Sequence, residues 1–124
     1  MITGIGIDIV ETQRLAKKIV KEKGFREFVF SKSEIKYCES QTNKIESYAA
    51  RFAAKEALLK AFGEGIFGKL ILNEMEISNE QSGKPIFIFR GKTKKIISKR
   101  KISKILVSLS HLKSIACAVV VIEK

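Results

Sequence analysis

Gly4, Gly6 and Asp8 alternate along the run Gly4-Ile5-Gly6-Ile7-Asp8-Ile9-Val10. Side chains of a strand point to opposite faces in turn, so these three share a face that is bare backbone until a carboxylate appears at its end. Something must approach that backbone closely. It is either a helix, with Asp8 paired to a surface lysine, or a ligand gripped by the carboxylate. The run is no dinucleotide fingerprint, because Ile9 stands at the third glycine position and the glycines lie inside a strand rather than at a strand-to-helix turn. A second acid, Glu56, falls at helical spacing within the apolar stripe Ile45, Tyr48, Ala49, Phe52 and Leu59. An unpaired carboxylate on a buried face costs several kcal/mol or more, so Glu56 calls for a cation, either Lys60 one turn on or a metal. If Asp8 meets Glu56, two hard oxygen ligands converge. That pair suits a magnesium ion that keeps several waters and completes its shell with substrate phosphates, a diphosphate above all.

A third constellation is basic. Arg14, Lys17, Lys18 and Lys21 recur at i, i+3, i+4 and i+7, with Leu15, Ala16, Ile19 and Val20 opposite, as on a helix with a charged stripe and a core face. The stripe could meet an acidic helix, nucleic-acid phosphates or water alone. Arg90 to Lys104 adds eight basic residues and no acid. The whole chain holds 24 Lys and Arg against 13 Asp and Glu, a net charge of +11, which points to anionic partners.

Two apparent motifs fail on context. Gly63-Glu64-Gly65-Ile66-Phe67-Gly68-Lys69 has the spacing of a phosphate-binding loop, but Leu70 replaces the metal-binding hydroxyl, and the loop follows a helix instead of opening one. Ser110 and His111 are neighbours on a predicted strand and face opposite ways, so they form no nucleophile-base pair. Cys38 and Cys117 lie far apart, and the single His111 cannot complete a zinc set with them; both cysteines read as core residues or idle thiols.

The elements that must position these groups follow from periodicity. Ile2 to Glu11 alternates as a half-buried strand with Ile5, Ile7 and Ile9 on one face. Thr12 can cap a helix to about Lys23, Ser31 to Glu34 has capping-box spacing for a shorter one, and a long helix runs from about Asn43 to Phe62 and stops at Gly63. Leu70 to Ser78 and Pro85 to Arg90 read as strands joined through Asn79 to Lys84, Thr93 to Lys101 as a short basic helix, and Ile102 to Ser110 and Ile115 to Ile122 as strands. The order argues an α+β domain with antiparallel pairing around a long central helix, one unit over residues 1–124 with no repeats or linkers. A 45% hydrophobic content and one proline exclude a disordered chain. The apolar N-terminal run contains Asp8 and has no basic leader, so it reads as neither signal peptide nor membrane span, and a cytoplasmic protein is expected.

Together these residues resemble holo-acyl-carrier-protein synthases, the small bacterial phosphopantetheinyl transferases. The likeness runs nearly end to end: Gly4 to Glu11 with Arg14; Phe30 to Glu34 with Tyr37-Cys38; Arg51-Phe52-Ala53-Ala54-Lys55-Glu56-Ala57 with Lys60-Ala61 and Gly63; Gly83-Lys84-Pro85; and Ser108 to His111. The resemblance implies the phosphopantetheinyl transferase fold in a homotrimer with sites between subunits. It also implies magnesium-dependent transfer of the 4'-phosphopantetheine arm from coenzyme A to a serine of an acidic acyl carrier protein, for fatty acid biosynthesis, with release of adenosine bisphosphate. By motif position Asp8 and Glu56 are the implied metal ligands, and Lys60 the cation beside the diphosphate. Arg51, Gly83, Lys84, Pro85 and His111 are the implied coenzyme A contacts, and Arg14 is implied to dock the carrier. The rest of the basic stripe, Lys17, Lys18 and Lys21, would steer that carrier by charge. Leu112 departs from the family, which usually has a small polar residue there.

Helix geometry adds an independent point. Arg51 and Lys60, nine residues apart, are half a turn out of phase, so one chain cannot easily present both to one ligand. The serine proton would go to Glu56 or to a metal-bound water. A basic nucleic-acid-binding protein and a non-catalytic adaptor also fit the charge, with Phe87 and Phe89 as a stacking platform in the first case. Neither accounts for Glu56 on its stripe, so nucleic acid and membrane are not expected partners.

Overall fold

The computed structural model describes residues 1–124. Strand β1 (Ile2–Glu11) leads into helices α1 (Thr12–Lys21), α2 (Phe25–Val29), α3 (Lys32–Glu39) and α4 (Lys44–Phe62). A 3-10 turn at Leu72–Glu74 precedes β2 (Met75–Asn79) and β3 (Pro85–Phe89), and α5 (Gly91–Ser98) precedes β4 (Lys104–His111) and β5 (Ile115–Glu123). β1, β5 and β4 form an antiparallel sheet in that order, and β2 pairs with β3 in a separate antiparallel hairpin. This is the α+β architecture with a long central helix that the sequence predicts.

α4 is the axis of the core. Asn43 stands at its N-cap, and Gly63, at φ 74°, ends it in the left-handed conformation that glycine adopts without strain. Ala49, Ala53, Ala54 and Ala57 are fully buried along it. These small side chains let the sheet come close, and Gly4 and Gly6 complete the fit. A Cβ at Gly6 would run into the carbonyl oxygen of Ala57, and one at Gly4 into that of Ala61. The partner of the bare glycine backbone is therefore α4 itself.

The packed face of β1 is thus the glycine face, and the isoleucine face is open. Ile5, Ile7 and Ile9 are 69%, 58% and 66% exposed. They pair in register with Val121, Val119 and Cys117 of β5, and Val121 pairs on with Leu106 of β4, giving a continuous apolar surface turned away from α4.

Other departures are local. α1 begins at Thr12, but Thr12 does not cap it; its hydroxyl donates to the Lys113 carbonyl at 2.8 Å. Val20, expected on the core face with Leu15, is 83% exposed, because α1 meets the core mainly through Leu15. α2 is an additional helix, and the chain from Leu70 to Glu74 is a turn with Leu70 and Leu72 buried rather than part of a strand. The capping box of α3 forms as read: Glu34 N donates to Ser31 Oγ at 3.2 Å, and Ser31 N donates to Glu34 Oε1 at 3.0 Å.

Candidate active site

Asp8 comes from the second half of β1 and Glu56 from the fourth turn of α4, and both line one pocket of about 350 Å³ with Arg14, Lys18, Phe25 and Phe52. Alternation along β1 turns Asp8 to the helix side, where α4 supplies Glu56 one turn after Phe52. Burial raises the pKa of the half-buried Glu56 carboxyl, and the Asp8 charge raises it further. Two like charges facing one wet pocket are unfavourable unless a cation joins them. Glu11 also lines the pocket, but nowhere in the chain do three His, Cys, Asp or Glu side chains gather closely enough to hold one metal ion, which leaves Asp8 and Glu56 as the candidate ligands. Two carboxylates and an open pocket fit an ion that keeps waters and takes further oxygens from a bound phosphate.

Lys60 does not make the helix pair with Glu56. Its ammonium donates to Asp8 Oδ1 and to the Ile7 carbonyl, both at 3.0 Å, bridging α4 to β1 while remaining exposed. Of the basic stripe, Arg14 and Lys18 reach the rim of the acid pocket, and the Lys18 ammonium lies 5.7 Å from the Phe25 ring centroid. Lys17 and Lys21 are exposed and line no part of it.

The remaining candidates lie elsewhere. Arg51, 7% exposed, sits on the Tyr37 ring at 4.2 Å from its centroid and lines a second pocket of about 240 Å³ with Ser33, Glu76, Ser78 and Asn79. Its buried Nε has no hydrogen-bond partner. The Gly83-Lys84-Pro85 turn adjoins that pocket through Asn79, whose side-chain amide donates to the Gly83 carbonyl at 2.8 Å; Gly83 has φ 91°. His111, at the end of β4, lies 3.2 Å from Glu46 on the first turn of α4, and Leu112 beside it is exposed. Within one chain Arg51 and the Asp8-Glu56 pair therefore line different pockets, and Lys60, bound to Asp8, is half a turn out of phase with Arg51.

Lys55 was missed. It is fully buried, and its ammonium donates to Glu34 Oε1 at 2.6 Å, the Val29 carbonyl at 2.6 Å and the Leu72 carbonyl at 2.9 Å. Glu34 Oε2 accepts from Ile77 N at 2.9 Å. Burial lowers the Lys55 pKa and Glu34 opposes that fall. One ion pair thus ties α4 to α2, α3, the 3-10 turn and β2. Its sequence signal was present: Phe52, Leu58 and Leu59 lie one turn away on the same helix face, which places Lys55 on an apolar side. Cys38 is buried and its thiol is pushed up to about 11, which removes it as a nucleophile.

Comparison with known proteins agrees with this geometry. A sequence profile described as the 4'-phosphopantetheinyl transferase superfamily matches residues 4–120. The holo-acyl-carrier-protein synthase of Cytophaga hutchinsonii is 48% identical over 126 residues, covering 100% of this chain and 99% of that protein. The crystal structure of the Neisseria meningitidis holo-acyl-carrier-protein synthase superposes with a TM-score of 0.90 at 32% identity, covering all of both chains. That of the Bacillus anthracis enzyme in complex with coenzyme A (3',5'-ADP) superposes with a TM-score of 0.82 at 36% identity, over 100% of this chain and 98% of the other. A match of this extent, on a chain whose two acids share one pocket, means that the protein belongs to the 4'-phosphopantetheinyl transferase superfamily, among the holo-acyl-carrier-protein synthases.

Proposed function

We propose that this chain transfers the 4'-phosphopantetheine arm of coenzyme A to a serine hydroxyl of an acyl carrier protein, releasing adenosine 3',5'-bisphosphate. The new bond joins the serine oxygen to the β-phosphorus of the coenzyme A diphosphate, the bond from that phosphorus to the bridging oxygen breaks, and the serine proton is taken up in the site. The observation that carries the reading is the convergence of Asp8 and Glu56 on one pocket in a chain of this family. These two would hold the magnesium ion, which when bound supplies positive charge to a diphosphate whose charge builds on the leaving oxygen.

The side chains around the pair have distinct tasks. Lys60, exposed and tethered to Asp8, adds a second positive charge at the pocket edge and can turn to a phosphate oxygen. Arg14 and Lys18 sit on the rim, where an acidic carrier would arrive, and Lys17 and Lys21 extend the positive field along α1. Phe25 and Phe52 give the pocket an apolar wall.

Coenzyme A contacts are assigned to Arg51, the Gly83-Lys84-Pro85 turn and His111, and these would act on the ligand held by a neighbouring copy. Support for a homotrimer comes from two features: the separation of Arg51 from the acid pair within one chain, and the open apolar sheet face of Ile5, Ile7 and Ile9, which a second copy would cover. No helix is long and apolar enough to cross a membrane, and both cysteines are free; we place the reaction in the cytoplasm, within fatty acid biosynthesis.

The test is the intact mass of an authentic apo acyl carrier protein after incubation with this protein, coenzyme A and magnesium. Addition of one phosphopantetheine is expected. An unchanged mass would remove the reading.

A further inference from the structure

We propose that the open crevice between β3, α5 and the start of β4, lined by Phe87, Phe89, Ile97, Ile102 and Ile105 together with Lys101 and Lys104, binds a medium-chain fatty carboxylate. Nothing in the transferase reading uses this region, and the proposal does not depend on that reading.

The crevice has a volume of about 470 Å³, more than the acid pocket and within the range of small-molecule sites. Phe87 and Phe89 stack nearly parallel, 5.9 Å between centroids, and both remain half-buried. Ile102 and Ile105 are half-buried as well, so apolar surface stays wet in this open crevice. Ile105 pairs with Ile122, which is buried, so it points to the α4 side of the sheet. Covering the open Ile5-Ile7-Ile9 face on the other side would leave the crevice accessible.

The head group follows from charge. No acid lines the crevice, and neither Lys101 nor Lys104 is in an ion pair. Both belong to the stretch Arg90 to Lys104, which has eight basic residues and no acid. Lys101 is also the one non-glycine residue with a positive φ, 55°. Holding a lysine in the left-handed region costs free energy that glycine would not, and the conformation keeps its side chain at this crevice. An open crevice that sets apolar side chains beside two uncompensated ammonium groups matches an acyl chain ending in one anion.

The experiment titrates the full chain with octanoate, decanoate and dodecanoate below their micelle concentrations, read by isoleucine methyl NMR. One saturable site per chain is expected, with shifts at Ile97, Ile102 and Ile105 and none at Ile5, Ile7 or Ile9. Affinity should rise about fourfold per added methylene until the crevice is full. Lys101→Gly with Lys104→Gln, exposed changes that φ 55° tolerates, should weaken decanoate about tenfold, and the neutral decyl maltoside should bind about tenfold more weakly than decanoate. Ser98→Phe, an exposed position lining the crevice, should block it. Absence of a saturable site, equal affinity for the neutral head, shifts on the open sheet face, or binding only to anionic phospholipid vesicles would each overturn the proposal.

Discussion

Consecutive residues of α4 carry opposite designs. Lys55 is fully buried, pairs with the oppositely charged Glu34, and has every donor directed at an acceptor. Glu56 is half-buried, faces the like-charged Asp8 across a pocket, and does not pair with Lys60. The first arrangement is closed and holds five segments together. In the second, Lys60 offsets Asp8 alone and Glu56 is left without a direct partner, which a cation from outside would supply. Satisfied charge marks scaffold in this molecule, and frustrated charge marks chemistry.

Substitutions separate the two. The largest effect is expected at the frustrated pair: Asp8→Ala or Glu56→Ala should lower carrier modification by about a hundredfold or more while the far-ultraviolet circular dichroism stays unchanged. Lys55→Met should do the reverse, costing about 3–5 kcal/mol in urea unfolding because Glu34 is left buried with its main charge partner gone. Gly6→Ala pushes a methyl into the Ala57 carbonyl and should cost about 1–3 kcal/mol by the same measurement, with loss of activity as Asp8 shifts.

The smallest effect is a matter of sign. Glu56 has a raised pKa in the folded chain, so between its unfolded and folded values the native state holds the extra proton. That contribution to stability is full below the unfolded value and is lost as pH rises through the folded one. Glu56→Gln removes the loss, so in metal-free buffer at neutral pH the variant should melt slightly above the parent. Magnesium should raise the parent's melting temperature and leave the variant's unchanged. Protons compete with the metal, so at subsaturating magnesium transfer should weaken on acidification, starting at a higher pH than an unshifted carboxylate would give. A variant that melts lower, or responds to magnesium as the parent does, would count against the frustrated pair.

Much of this was legible because each signal was local. The α3 capping box, the stop at Gly63 and the strand alternation of β1 depend on neighbours in sequence. The two acids stood out by type and phase. What was not legible depended on tertiary partners. Alternation in β1 could not say which face packs, and the glycine face won because α4 presents alanines to it. Lys60 lay one turn from Glu56, yet β1 brought Asp8 and the Ile7 carbonyl within its reach. α2 spans five residues after Gly24 at φ 84°, too short to be stable by propensity alone, so only its packing explains it. For Lys55 the helix context signals burial, but the partners that satisfy it come from three distant segments and leave no local mark.

The most direct test is the binding of manganese, as a paramagnetic stand-in for magnesium, to the purified protein, followed by electron paramagnetic resonance. One site per chain is expected in the parent, abolished in Asp8→Asn and in Glu56→Gln and retained in Arg51→Ala. Undiminished binding in both carboxylate variants would contradict the shared cation site.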